Sequence, residues 1–205
     1  MKRKILASFL TVLILSVCAG VFVAQAQQRQ RNADLMEAGF MLFPDLREDF
    51  ELYFGTFLED KKNFLVAYND LLKGYSQFDW GRMRAVEAFF IFADSHDKLF
   101  FVDRRGEEHA GEIEEFLEDE VKVRTDWMHV DALREDLDMI NQREGSFIIS
   151  LFRAIEKDLE PSNMKLIFLN LGWNAYALTA VDIGLYQVLT GKFGQYFYGV
   201  EQIRK

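Results

Sequence analysis

The chain has 205 residues, half of them hydrophobic, and carries 33 acidic against 24 basic residues, a formal net charge of −9. This length and apolar content suffice to bury one core, so the sequence predicts a single domain. The acidic balance argues against nucleic acid as a partner, because phosphate binding depends on clustered lysine and arginine.

The first 26 residues resemble an export signal. Positive residues at 2–4 precede an uncharged, mostly apolar run at 5–23, and Ala24-Gln25-Ala26 is typical of a signal-peptide cleavage site. We therefore expect a cleavable signal peptide at 1–26 and a periplasmic or secreted protein. The long apolar run leaves an uncleaved membrane anchor as an alternative, and Leu15-Ser16-Val17-Cys18 weakly resembles a lipobox.

Cleavage after Ala26 would make the chain more acidic and free of thiols. It would remove three basic residues and the only cysteine, leaving 21 of the 24 basic residues to face 33 acidic ones. Without cysteine the mature chain can form no disulfide and no thiolate metal site. An acidic surface is repelled by anionic lipid headgroups, so we expect no stable membrane insertion after cleavage. Another envelope protein or a basic partner remains possible.

Residues 27–33 are polar and predict a flexible mature N-terminus, followed by one helical domain at 34–205. A short helix at 34–43 is expected to end at Pro44, since proline cannot continue it. The most regular pattern then runs from Leu46 to Tyr75, where apolar residues recur at gaps of three, four and seven. Such spacing predicts one long helix with a single buried face.

The segment Asp79–Asp103 supports two interpretations. Met83, Val86 and Phe90 are spaced as on a helix. Aromatic-rich runs on either side of a polar turn at 94–97 are also typical of a β-hairpin. Helix is the preferred prediction, and a hairpin at 89–102, which would make the domain α+β, is the alternative.

Further amphipathic helices are predicted at 107–121, 125–140 and 147–159. The first of these carries acidic residues in line along one face. Like charges at helical spacing oppose helix formation by a few tenths of a kcal/mol each, so the face serves either solubility or the binding of a basic partner. Its members are Glu108, Glu112, Glu115 and Asp119.

The stretch Met164–Gly191 is the most apolar part of the chain outside the leader. Between Leu166 and Thr190 its only formal charge is Asp182. The uncharged run is short for a membrane span, which favours burial within the protein. We interpret it as one broken helix or two helices at the centre of an all-α bundle of about seven helices. A last short helix is expected at 195–205.

Asn170, Asn174 and Asp182 are sparse polar groups within this apolar stretch. On a helix, Asn170 and Asn174 would lie one turn apart on one face. Apolar walls with a few polar groups are typical of ligand pockets. The three residues are therefore candidates for binding a small apolar or aromatic ligand.

Motifs for catalysis are weak. Asp126 and His129, three residues apart, could bind a metal or act as an acid–base pair on one helix face. The sequence contains no H-E-x-x-H, no Glu-x-x-His and no phosphate-binding glycine loop. No cofactor is predicted. The leading expectation is a non-enzymatic protein-binding or structural role in the cell envelope, then a small-ligand carrier or sensor, and third a metal-dependent hydrolase.

Overall fold

The computed structural model describes residues 23–75, 79–136 and 146–203, which form helices on both sides of a small sheet. The helices are α1 (residues 23–42), α2 (Arg47–Glu59), α3 (Lys61–Ala67), α4 (Asn69–Lys73), α5 (Ala85–Ser95), α6 (Glu112–Asp119), α7 (Met128–Glu135), α8 (Ser146–Leu159) and α9 (Ile183–Lys192). The strands are β1 (Phe100–Asp103), β2 (Met164–Leu169), β3 (Ala175–Asp182) and β4 (Phe197–Tyr198). Short 3-10 turns occupy Pro44–Leu46, Trp80–Arg82, Glu160–Ser162 and Val200–Gln202.

The sheet is antiparallel, with strand order β1-β3-β2-β4. Strand β2 pairs with β3 along its whole length, from Met164 opposite Asp182 to Leu169 opposite Ala177. The all-α prediction is therefore only partly right: the described chain is mostly helical, but the central stretch begins with a hairpin. Only the last part of that stretch is helical, and it forms α9.

In sequence, β2 and β3 resemble a helix because both strands are buried on both faces. Ile167 and Leu169 pack into one core, whereas Leu166 and Phe168 pack into the other. A strand covered on both sides has apolar residues at every position and loses the alternation that marks a half-exposed strand. Its sequence then resembles a buried helix.

Two helical layers cover the sheet. Helices α1 to α5 and α9 contribute to a first core, and helices α6, α7 and α8 contribute to a second core on the opposite face. Aromatic rings fill the first core around Phe50. Its ring centroid lies 5.5 Å from that of Phe43, 5.2 Å from Phe54 and 5.0 Å from Phe92.

The long helix expected from Leu46 to Tyr75 is present as the separate helices α2, α3 and α4. The first break falls at Asp60, whose carboxylate accepts hydrogen bonds from the backbone N–H groups of Lys62 (3.1 Å) and Asn63 (3.0 Å). An aspartate that caps the next helix in this way competes with continuous helix. The predicted buried stripe is nevertheless confirmed, since Phe50 and Phe64 are fully buried.

Residues 89–102 combine parts of both predictions. Phe89–Ser95 is helical, as preferred, and Phe100–Asp103 is a strand, as in the alternative. The strand pairs with β3, where Phe101 lies opposite Ala177, and not with residues 89–92. In place of the local hairpin of the alternative prediction, β1 pairs with a strand about 75 residues later in the chain.

Both ends of the domain differ from expectation. Residues 27–33, expected to be flexible, belong to α1, where Gln28 donates to Asn32 and Gln30 to Asp34 one turn on. The helix expected at 195–205 is instead β4 and a 3-10 turn, because Phe197 and Tyr198 complete the sheet beside β2. Part of the helix expected at 125–140 lies outside the described residues. In the described segments, no helix is long and apolar enough to cross a membrane.

Gly39 in α1 and Gly55 in α2 provide a matched test of the first core. A Cβ on Gly39 would overlap the ring of Phe50, whereas a Cβ on Gly55 would meet no atom within 4 Å. We expect Gly39→Ala to lower the free energy of unfolding by about 1–3 kcal/mol, as overpacking does. Gly55→Ala should raise it by up to about 1 kcal/mol, because alanine favours helix. Urea unfolding measures both, and equal stability of the two variants would contradict this packing.

Candidate functional site

The end of the β2–β3 hairpin borders an open depression of about 500 Å³. Strand β1 ends here, and the chain after β4 closes the opposite side. We call it the hairpin-turn site. Polar and aromatic side chains dominate its lining, namely Arg104, Asn170, Asn174, Gln202, Trp173, Tyr176 and Tyr198.

The pairing of β1 with β3 places Arg104 in this site. Asp103 lies opposite Ala175 in an antiparallel pair. Arg104, which follows Asp103, therefore lies beside Asn174, which precedes Ala175. The Arg104 Nη1 atom donates to the Asn174 Oδ1 atom at 3.2 Å. This bond orients an exposed guanidinium at the mouth of the depression, where other N–H groups can reach a ligand.

Tyr176 and Tyr198 form one wall of the hairpin-turn site. Their rings lie 6.0 Å and 5.4 Å from the buried ring of Phe168, measured between centroids. Burial raises the pKa of Tyr198 to about 12 and also raises the pKa of Tyr176. Both phenols therefore keep their protons at neutral pH and can donate hydrogen bonds.

The structure brings together two of the three predicted ligand residues. Asn170 and Asn174 flank the turn between β2 and β3, and both line the hairpin-turn site. The Asn170 backbone N–H donates to the Tyr196 carbonyl at 2.7 Å, which ties the turn to the chain before β4. Asn170 also borders a second open depression of about 650 Å³ beside α1. Their proximity arises from the hairpin, not from one helix face.

Asp182 lies at the other end of β3, about 26 Å from Asn174 at the usual rise of about 3.3 Å per strand residue. Its carboxylate accepts hydrogen bonds from the backbone N–H groups of Gly184 (2.9 Å) and Leu185 (3.0 Å). This is an N-cap of α9, which satisfies donors that the first helical turn leaves free. The structure gives Asp182 a capping role away from the hairpin-turn site.

Asp126 and His129 line a different depression, of about 520 Å³, at the start of α7. We call it the α7 site. The carboxylate bonded to His129 is that of Asp158 on α8, not that of Asp126, with the His129 Nδ1 atom 2.6 Å from the Asp158 Oδ1 atom. Across residues 23–75, 79–136 and 146–203, no group of three or more His, Cys, Asp or Glu side chains could hold a metal ion.

The acidic face predicted at 107–121 is only partly helical. Glu112, Glu115 and Asp119 lie on α6, while Glu108 precedes the helix and its backbone N–H donates to the Glu112 carboxylate at 3.0 Å. Glu108, Glu115 and Asp119 are exposed. Its binding of a basic partner stays a prediction.

The sequence interpretation missed Arg104, Tyr176 and Tyr198 because strand pairing assembles them from distant segments. It also missed Asp158, although the sequence contained a signal for it. Asp158 follows Ile155 by three residues and Leu151 by seven, so it continues the buried stripe of α8. A charged residue on a buried stripe is costly unless it is hydrogen-bonded or ion-paired, so its position predicts a specific interaction.

Comparison with known proteins identifies no relative: no family model matches the chain, and no curated protein or solved structure resembles it significantly.

The role of Asp182 can be separated from ligand binding by substitution. Asp182→Ala should lower the free energy of unfolding by about 1 kcal/mol, the usual cost of a lost N-cap. Asp182→Ser should retain most of that stability, because serine caps nearly as well. Thermal unfolding of the three proteins measures the effect. Equal stability of the alanine variant and the wild type would contradict the capping role.

Proposed function

We propose that the protein binds a small anionic organic molecule with a ring in the hairpin-turn site. The observation that carries the proposal is the pairing of the Arg104 guanidinium with Asn174 at the mouth of a depression of about 500 Å³ walled by aromatic rings. Among the residues that the structure describes, Arg104 is the only formally charged one that lines this site. A single positive charge favours a ligand with a negative group.

The lining chemistry supports a carboxylate joined to a ring. Guanidinium and carboxylate can form two parallel hydrogen bonds, which add geometric selectivity to the charge attraction. Trp173, Tyr176 and Tyr198 offer flat faces and edges that pack against a ring. The amides of Asn170 and Gln202 can each donate and accept, and so can orient hydroxyl or carbonyl groups.

An apolar ligand, as first expected, suits this site less well. The depression is open, and Arg104, Asn170 and Asn174 are exposed. Covering these groups with a ligand that offers no hydrogen bonds would desolvate them without compensation. The geometry therefore favours a polar ligand over the small apolar molecule that the sequence suggested. The protein-binding role expected from the acidic face has no comparable set of converging side chains to support it.

The proposal includes export through cleavage after Ala26. Residues 23–31 of α1 are exposed, and the buried positions of this helix begin at Leu35. Loss of residues 1–26 would thus remove no buried side chain from the described part of α1. The folded domain is compatible with a mature chain that starts at Gln27.

A chain beginning at Gln27 should be as stable as the full chain. We expect the two melting temperatures to agree within about 2 °C, since exposed helical residues contribute within about 0.5 kcal/mol. Differential scanning fluorimetry makes the comparison. Expression of the full sequence in a bacterial host, followed by N-terminal sequencing of the periplasmic fraction, tests cleavage itself. An N-terminus other than Gln27 would contradict this site.

Ligand binding can be tested with acids and their neutral counterparts. Glucuronate and benzoate should raise the melting temperature and change the Trp173 fluorescence, whereas glucose and benzyl alcohol should not. Arg104→Gln should weaken acid binding by about 10- to 100-fold, because a charge-assisted hydrogen bond contributes about 1.5–3 kcal/mol. Titration of the chain 27–205 measures the dissociation constants.

Arg105→Gln is the matched control. Arg105 is the neighbouring arginine, but its Nε atom pairs with Asp103 at 3.0 Å and it does not line the hairpin-turn site. This variant should bind the acids as the wild type does. Absence of any response to either acid at 10 mM (roughly the weakest affinity of interest), or unchanged affinity in Arg104→Gln, would overturn the proposal.

A further inference from the structure

The α7 site contains a histidine whose ring is held by a buried carboxylate. Asp158 is 5 % exposed, and its two carboxylate oxygens accept the backbone N–H groups of His129 and Val130 at 3.0 Å. The Thr125 hydroxyl donates to the Asp158 carbonyl at 2.8 Å and holds the preceding loop against α8. Asp158 thus caps the first turn of α7 from another helix.

The same carboxylate orients the His129 ring. The Nδ1 atom lies 2.6 Å from the Asp158 Oδ1 atom. Because both oxygens of Asp158 already accept from N–H groups, the carboxylate acts as an acceptor and Nδ1 carries the hydrogen. The neutral ring then has its lone pair on Nε2. The side chain is half exposed, and Nε2 has no hydrogen-bond partner among the described residues.

The cap alone does not require histidine at position 129. Only the backbone N–H groups of residues 129 and 130 are needed for it, and any residue except proline supplies them. Helix capping therefore does not account for the imidazole. A ring that presents a lone pair to a depression of about 520 Å³, with an acidic partner behind it, has the arrangement of a general base.

The surroundings indicate the charge of a substrate. Charged side chains of both signs line the α7 site, namely the cations of Arg124 and Lys157 and the carboxylates of Glu118, Asp126 and Asp158. Trp127 holds a left-handed backbone conformation (φ 42°), which is unfavourable for a bulky side chain. Its indole N–H donates to Glu118 at 2.5 Å, which fixes the ring at the edge of the site. Glu118 already accepts from the Trp127 indole, and Asp158 is held by His129 and Val130, so Asp126 is the one remaining carboxylate. Two cationic side chains against one remaining carboxylate favour a substrate that carries a negative group.

We infer that His129 is the catalytic base of a hydrolytic site for anionic carboxylic esters, with Asp158 as its positioning residue. The Nε2 atom accepts a proton from water while the water oxygen bonds to the ester carbonyl carbon and the carbonyl π electrons move to its oxygen. The intermediate then re-forms the carbonyl and breaks the bond to the leaving oxygen, which takes the proton from Nε2. The products are a carboxylic acid and an alcohol, and Asp158 stabilises the transient imidazolium.

The chain 27–205 can be tested with 4-acetoxybenzoate and with the neutral phenyl acetate. We expect hydrolysis of both esters, with 4-acetoxybenzoate preferred. His129→Gln should lower the rate by about 100-fold or more, the usual contribution of a positioned base. His109→Gln is the matched control and should leave the rate unchanged, since His109 is exposed and does not line the α7 site.

Three further measurements separate catalysis from a structural effect. Added imidazole should restore part of the activity of His129→Gly, which a merely structural role would not produce. Nitrogen-detected NMR of the neutral ring should show its proton on Nδ1. The double variant Arg124→Gln/Lys157→Gln should lose the preference for 4-acetoxybenzoate.

Each opposite result overturns part of the inference. Hydrolysis no faster than in buffer, equal rates in wild type and His129→Gln, or a proton on Nε2 would remove the catalytic base. A preference that survives the double variant would remove the anionic substrate class. Ligand binding at the hairpin-turn site is measured by titration with glucuronate, which is not an ester, and hydrolysis at the α7 site is measured by product formation, so the two failures are distinguishable.

Discussion

The fold depends on the pairing of β2 with β3. Its six paired positions, from Met164 opposite Asp182 to Leu169 opposite Ala177, are the longest register in the sheet. Side chains alternate between the two cores along both strands, so each core uses half of the hairpin. A slip of one residue would exchange every side chain between the cores. Because each helical layer packs against its own set of hairpin side chains, one register is favoured. That register determines the positions of the segments that pair with the hairpin or continue from it.

Both candidate sites follow from this arrangement. The hairpin-turn site forms where β1 ends beside the start of β3, because the register brings Arg104 and Asn174 together. The α7 site forms in the helical layer of the second core, where α8 packs against both β2 and α7. Asp158 lies near the end of α8 and caps α7, so the contact that joins two helices also orients His129. Strand pairing thus assembles the hairpin-turn site, and helix packing assembles the α7 site.

The helical part of the molecule was predictable because amphipathic helices leave a periodic pattern. Apolar faces were predicted within 46–75 and 147–159, and Phe50 and Phe64 in the first segment and Ile155 in the second are buried. The sheet was not predictable by the same criterion, since β2 and β3 have no exposed face. A different signal was present: five residues, Asn170 to Asn174, join the strands, and they include Gly172 with a φ of +67°. A glycine-containing connection of this length between two apolar runs is a hairpin signal. Asn170 and Asn174 lie close together as expected, but because of the hairpin and not because of a shared helix face, and their binding of a ligand stays a prediction. The partners of Asn174 and His129 required the tertiary structure.

The acidic composition is compatible with anion binding because net charge and local charge act over different distances. The net charge of −9 acts through solvent, where ions screen it within about 8 Å at physiological salt. A guanidinium that touches a carboxylate acts at hydrogen-bond distance and is little screened. The Arg134 guanidinium, in contrast, forms ion pairs with Glu107 and Glu114, with its Nη2 atom 2.7 Å from a carboxylate oxygen of each. Arg104, Arg124 and Lys157 remain beside open depressions. Net repulsion slows the approach of an anion, so selectivity must come from contacts that slow its departure. The selectivity proposed for the two sites therefore rests on their geometry and not on the composition of the chain.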